Sequence, residues 1–109
     1  MGMKFYKYLY VQEELEKKKD KIISKLRNSK ILLNCHVVAL SANPENQLDI
    51  YSSKFLFQPW VSTENMFVVA IVKTHEDAVE YVENLLKDVY NETKRTDMRS
   101  YILNKEQEG

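Results

Sequence analysis

The sequence predicts an α+β fold. It is a two-layer sandwich in which a mixed or antiparallel sheet of about four strands, near the lower mode for natural sheets, carries amphipathic helices on one face. The order is β-α-β-β-β-α, with a short C-terminal helix as an optional last element. Three observations predict this. Apolar and aromatic residues alternate at period two near the N-terminus and again between 31 and 57. Apolar residues recur at three-four spacing over 74–90. The 109 residues include only two Gly and two Pro, too few for a disordered or fibrous chain. With 44% apolar and 29% charged residues, 1–109 reads as one globular domain, which at this length buries roughly 65% of its unfolded surface. Met1 and Gly2 ahead of Met3 read as an added leader, and the last few residues as a frayed end.

Met3 to Val11 alternates, with Phe5, Leu9 and Val11 sharing one parity with Lys7, and Tyr6, Tyr8 and Tyr10 on the other; this is a strand. Gln12 to Ser29 is a helix with Leu15, Ile22, Ile23 and Leu26 inward and Lys17, Lys18, Lys19, Lys21 and Lys25 on its wet face. Ile31 to Leu40 and Gln47 to Phe57 are strands joined by the turn Asn43-Pro44-Glu45-Asn46, an antiparallel hairpin. Pro59 ends the second of them, since it cannot donate to a ladder, and Ser62 to Asn65 is another turn. Met66 to Val72 is apolar on both parities, which suits the middle of a sheet covered twice, or covered once and capped by a partner. Thr74-His75-Glu76-Asp77 has capping-box spacing and opens a helix carrying Ala78, Val79, Val82, Leu85, Leu86, Val89 and Tyr90 inward. After a polar break at Asn91 to Thr96, Asp97 to Gln107 forms a short helix with Met98, Tyr101 and Ile102 on its apolar side. The helical link between the first two strands allows a right-handed parallel crossover; the tight turns make the later strands antiparallel.

Several function classes are excluded or disfavoured. The only glycines, Gly2 and Gly109, are terminal, so there is no phosphate-cradling glycine loop. Cys35 and His36 are neighbours in a strand and point to opposite faces, so they cannot act as nucleophile and base. With His75 they match no zinc spacing. No catalytic residue, metal-ligand set or cofactor is assigned, and an enzyme is the least favoured class. The lone thiol, the absence of a signal-peptide pattern and the absence of a long apolar run point to a cytoplasmic chain that does not engage a membrane.

Two features point to function. The first is charge segregation. Over 4–30 there are nine basic residues against four acidic, and over 76–92 six acidic against one basic, so a net charge of zero conceals a dipolar molecule. Two helices lying side by side and complementing each other explain this most simply, with exposed pairs worth ~0–1 kcal/mol each. A basic patch of Lys17, Lys18, Lys19, Lys21 and Lys25 for phosphate backbones is the alternative. The second feature is aromatic: Tyr6, Tyr8, Tyr10, Tyr51 and Trp60 fall where a sheet face opposite the helices would leave rings open, a mark of interfaces. The leading expectation is therefore a non-enzymatic interaction or regulatory module that self-associates through a sheet face or edge, forming a homodimer or engaging another protein. Nucleic-acid binding by the lysine-rich helix and neighbouring tyrosines is the alternative and is not favoured. A third reading is a small-molecule pocket between the sheet and the second helix, with Trp60 at its mouth.

Overall fold

The computed structural model describes residues 3–28, 35–41, 46–56 and 66–108. Four strands, β1 (Lys4–Val11), β2 (His36–Leu40), β3 (Leu48–Ser52) and β4 (Phe67–Val72), form one mixed sheet in the order β1-β4-β2-β3. A 3-10 segment, Glu13–Lys18, leads into helix α1 (Lys19–Arg27); α2 (His75–Thr93) and α3 (Met98–Gln107) follow the sheet. The turn expected at 62–65, most of that at 43–46, Phe57, Pro59, Trp60 and the extension into 31–34 lie outside the described residues, whereas 53–56, expected to continue the strand, form a turn: β3 ends at Ser52, and the Phe55 amide donates to the Ser52 carbonyl.

The α+β class, the four-strand mixed sheet and the element order are as the sequence predicts. The layer count is not, because the helices cover both faces of the sheet. Alternation along the strands explains how. On one face Phe5, Leu9, Val37, Ala39, Val68 and Ile71 pack with Ile22 and Leu26 of α1. On the other, Tyr6, Val38, Val69, Ala70 and Val72 pack with Ala78 of α2 and Ile102 of α3. Both cores contain side chains with no exposure at all, Val37 and Val68 on one face and Val38 and Val69 on the other, each burial worth roughly 1.5–3 kcal/mol. β4 takes the doubly buried position that its two-sided apolar pattern requires.

The strand directions also differ from the expectation. β1 runs parallel to β4, and β4 antiparallel to β2. β1 and β2 are therefore antiparallel with β4 between them, and no parallel crossover joins them. The hairpin of β2 and β3 is present, Val38 opposite Ile50, but β3 and β4 run the same way, separated by β2. The central place goes to the most apolar strand, and local connectivity yields to it.

Two register shifts shape the sheet. Against β2, the register of β4 slips between Ala70 and Val68, which is why the neighbours Val69 and Ala70 join the same core instead of opposite ones. In β1 the shift falls between Phe5 and Tyr10. There the Lys7 amide donates to Oε1 of Glu106, 2.7 Å away near the end of α3, and Lys7 Nζ donates to the Glu108 carbonyl. The free edge of β1 is thus held by α3.

Capping sets the helix ends. Thr74 Oγ1 accepts from the Asp77 amide at 3.1 Å and donates to Asp77 Oδ2 at 2.9 Å, so the expected cap forms. Lys94, at φ 60°, closes α2 by donating its amide to the Tyr90 carbonyl. Asp97 caps α3 through the Ser100 amide at 3.0 Å. By contrast α1 has no side-chain cap, and its first turns tighten into the 3-10 segment in place of the single long helix the periodicity predicts. α2 turns Ala78, Tyr81, Val82 and Leu85 to the sheet, whereas Val79 and Tyr90, expected inward, are exposed.

Candidate functional site

On the α2–α3 side, the roof over the sheet does not close above β1. A groove of about 670 Å³ lies between β1, α2 and α3. Its floor is Tyr6, Tyr8 and Tyr10 of β1, with Val72 at the end of β4. Its far wall is the stripe Asp77, Glu80, Tyr81, Asn84, Leu85 and Asp88 of α2, and Tyr101 and Lys105 of α3 close one end. The stripe follows from helical spacing, since positions three and four apart share a face.

The rings form a connected wall. Tyr10 stacks on Tyr81 with centroids 5.3 Å apart and planes 25° apart. Tyr6 meets Tyr8 edge-on at 5.7 Å and Phe67 at 5.9 Å. Tyr101 donates to Glu92 Oε2 at 2.6 Å. Gln12 links the strand end to α2: its Oε1 accepts from the Lys73 amide at 2.7 Å, and its side chain hydrogen-bonds Asp77. Beside it, Lys73 Nζ pairs with Glu14 Oε2 at 2.9 Å.

The electrostatics are those of an acidic, partly dry site. Burial pushes the Tyr6 hydroxyl up to about 12, reinforced by the charge of Glu106. Burial likewise takes Tyr81 to about 12, with Tyr6, Tyr10 and Asp88 adding to it. The hydrogen bond to Glu92, together with burial, raises Tyr101 above the ordinary phenol range. These hydroxyls are neutral at physiological pH and far from the pKa that proton transfer at that pH favours. The bonds from Thr74 and Gln12 hold the Asp77 carboxyl below the usual range, so it is ionised. The arrangement presents ring faces, hydroxyls and carboxylates, which is the equipment of recognition.

The predicted residues divide unevenly. Tyr6, Tyr8 and Tyr10 do gather: Tyr6 is buried, 7% exposed, against the α2–α3 side, while Tyr8 at 57% and Tyr10 at 44% keep open rings as the sequence leads one to expect. Tyr51 lies on the opposite face with the α1-side core, its hydroxyl donating to Asp49 Oδ2 at 3.3 Å. Lys17, Lys18 and Lys21 are exposed and Lys19 and Lys25 half-buried, all on the segment that packs against the face away from the tyrosine stripe. These five lysines are therefore not brought beside the tyrosine stripe. The basic and acidic helices are also not side by side; the sheet separates them, so they do not neutralise each other. Asp77, half-buried, and Glu80 and Asp88, both exposed, border the groove.

Tyr81 was missed as a site residue because an aromatic flanking an apolar helix stripe reads as packing. Its signal is its place four residues from Asp77 and from Leu85. Elsewhere, Cys35 is buried in the α1-side core, and burial raises its thiol despite a hydrogen bond with Ser53. His36 and His75 approach with ring centroids 6.2 Å apart, and no group of three or more His, Cys, Asp or Glu among the described residues is arranged to hold a metal ion. No helix among the described residues is long and apolar enough to cross a membrane.

Comparison with protein families, with curated proteins and with solved structures finds no match for this chain.

Proposed function

We propose that the chain is a non-catalytic binding module whose site is the groove between β1, α2 and α3, and that it takes a small organic molecule. The observation that carries this is the groove itself: about 670 Å³ lined by five tyrosines, within the ~300–1,000 Å³ common for ligand sites. Tyrosine offers a large apolar surface with a polar tip and little rotamer freedom to lose. The test is a thermal-shift survey with small molecules of varied charge, at concentrations well above micromolar. A ligand at ~100 times its Kd stabilises the folded state by about 2.7 kcal/mol. A stabiliser whose effect disappears in Tyr10→Ala is the expected result. Stabilisers that act equally on that variant, or none at all, would remove the reading.

Self-association is the second reading, through the sheet edge, one of the two places the sequence offers for it. The face that motivated it is roofed by α2 and α3, but among the described residues β3 has a hydrogen-bonded neighbour on one side only. An edge of this kind is a template for a second strand. Sedimentation equilibrium at micromolar concentration decides it: a dimer that Ile50→Lys dissociates supports the reading, and a monomer of 12.9 kDa removes it.

A further inference from the structure

We infer that the groove, taken as the binding site proposed above, selects a linear aliphatic polyamine: a chain of separated ammonium groups joined by methylenes. Four features of the site converge on that chemistry.

The first is unbalanced charge laid out along a line. Asp77, Glu80 and Asp88 border the groove, and Lys105 is the one basic residue on its wall. That lysine is already engaged, 3.9 Å from Glu92 Oε1, whereas Glu80 and Asp88 have no ion-pair partner among the described residues. From Asp77 to Asp88 the stripe runs about 16 Å along the helix axis at ~1.5 Å per residue. A compact single cation reaches one of these carboxylates, while an extended chain of ammonium groups reaches several. A phosphate-bearing ligand is repelled by all of them.

The second is the ring faces. They attract ammonium groups through the aromatic quadrupole, and the chain's own lysines already do this at the groove's margins. Lys7 Nζ lies 5.7 Å from the Tyr8 centroid, and Lys105 Nζ 5.5 Å from that of Tyr101. The stacked Tyr10 and Tyr81 between them offer apolar surface to methylenes.

The third is the Tyr6 hydroxyl. The residue is 7% exposed, yet its hydroxyl makes no hydrogen bond to a described residue. No side-chain polar atom among the described residues is fully enclosed without a partner, so this hydroxyl keeps some accessible surface on a residue that lines the groove. Its oxygen can accept from an ammonium N–H. The fourth is the potential. The upward shifts of Tyr6 and Tyr81 arise first from burial, which opposes any bare charge, and only then from neighbouring groups, among them the carboxylates Glu106 and Asp88; those carboxylates are the part that favours a cation.

The experiment is calorimetric titration of the full chain at low salt with four probes: spermidine, tetramethylammonium, magnesium ion and an uncharged polyether of similar length. Spermidine should bind and the other three bind much more weakly, and added salt should weaken it as screening predicts. Glu80→Gln with Asp88→Asn should lower its affinity about tenfold or more, and Tyr6→Phe several-fold. Glu76→Gln with Glu83→Gln, which neutralises α2 outside the groove, should leave it within about twofold, the effect of screened surface charge. Equal losses from the two double variants would make the binding a general field effect and overturn the polyamine assignment. So would tetramethylammonium or the polyether matching spermidine, though the groove would then stand as a site for another class. No binding by any probe, with no stabiliser in the thermal-shift survey, would overturn both.

Discussion

The two faces of the sheet are built from the same strands and finished differently. On the α1 side the cover among the described residues is the nine-residue helix α1 with Leu15 of the 3-10 segment before it, and Leu26, Ile22 and Leu56 fill the space against Val37, Val68 and Ile71. On the other side α2 and α3 cover β4 and β2 fully but stop short over β1, where the strand carries tyrosines in place of aliphatic residues. The lesson is that coverage and closure are separate. A face can be roofed well enough to hold the fold and still keep a concavity where side chains with polar tips line the floor.

Core truncation is the strongest way to break the comparison. Leu26→Ala on the α1 side and Ile102→Ala on the α3 side should each cost about 2–5 kcal/mol, because both are almost fully buried. Denaturant unfolding followed by circular dichroism measures this. If either cost falls below about 0.5 kcal/mol, the value for an ordinary surface change, that face is not a core.

The next effect belongs to the groove tyrosines and is a dependence on pH. Tyr6 and Tyr81 titrate at about 12, against ~10 for an unfolded tyrosine. The folded state therefore holds these protons more tightly than the unfolded one. Their contribution is fully present below pH ~10 and is lost as pH rises towards about 12. Stability should decline through that window, and Tyr6→Phe or Tyr81→Phe should flatten the decline. An unchanged slope in both variants would mean that the groove tyrosines are not held as described.

Capping gives a smaller contrast. Thr74→Ala should cost about 1 kcal/mol by removing the bond to the Asp77 amide, while Lys18→Ala, at the uncapped start of α1, should change stability by less than about 0.5 kcal/mol. Thermal melts of the two variants side by side sharpen or erase that difference. The least effect belongs to the surface pair. Glu14→Gln removes a 2.9 Å contact with Lys73, but both side chains are more than half exposed, so a change of ~0–1 kcal/mol that fades in salt is expected.

Local structure was largely legible in the sequence. Thr74 announced its cap through spacing, and the parity of Phe5 against Tyr6 correctly assigned them to opposite faces. Double coverage was legible too, in the two-sided apolar run of β4, but the same run also suited a single cover with a partner. Strand order decides between those, and it depends on which strands compete for the centre, a contest among distant segments that no local pattern records. The three tyrosines of β1 were legible as a cluster, and the open rings of Tyr8 and Tyr10 with them; the burial of Tyr6 was not, since tyrosine suits open surfaces and half-buried walls equally. The acids of α2 are solvent-exposed or half-exposed, and that some of them also border a groove depends on which element lies opposite, which no local pattern records.

The most direct measurement is amide-resolved NMR of the chain during titration with spermidine. The account predicts that shifts concentrate on residues 6–12 of the first strand and its end, 77–88 of α2 and 101–105 of α3, while 17–25 stay still. Shifts centred on β3, or spread over every acidic residue alike, would contradict it.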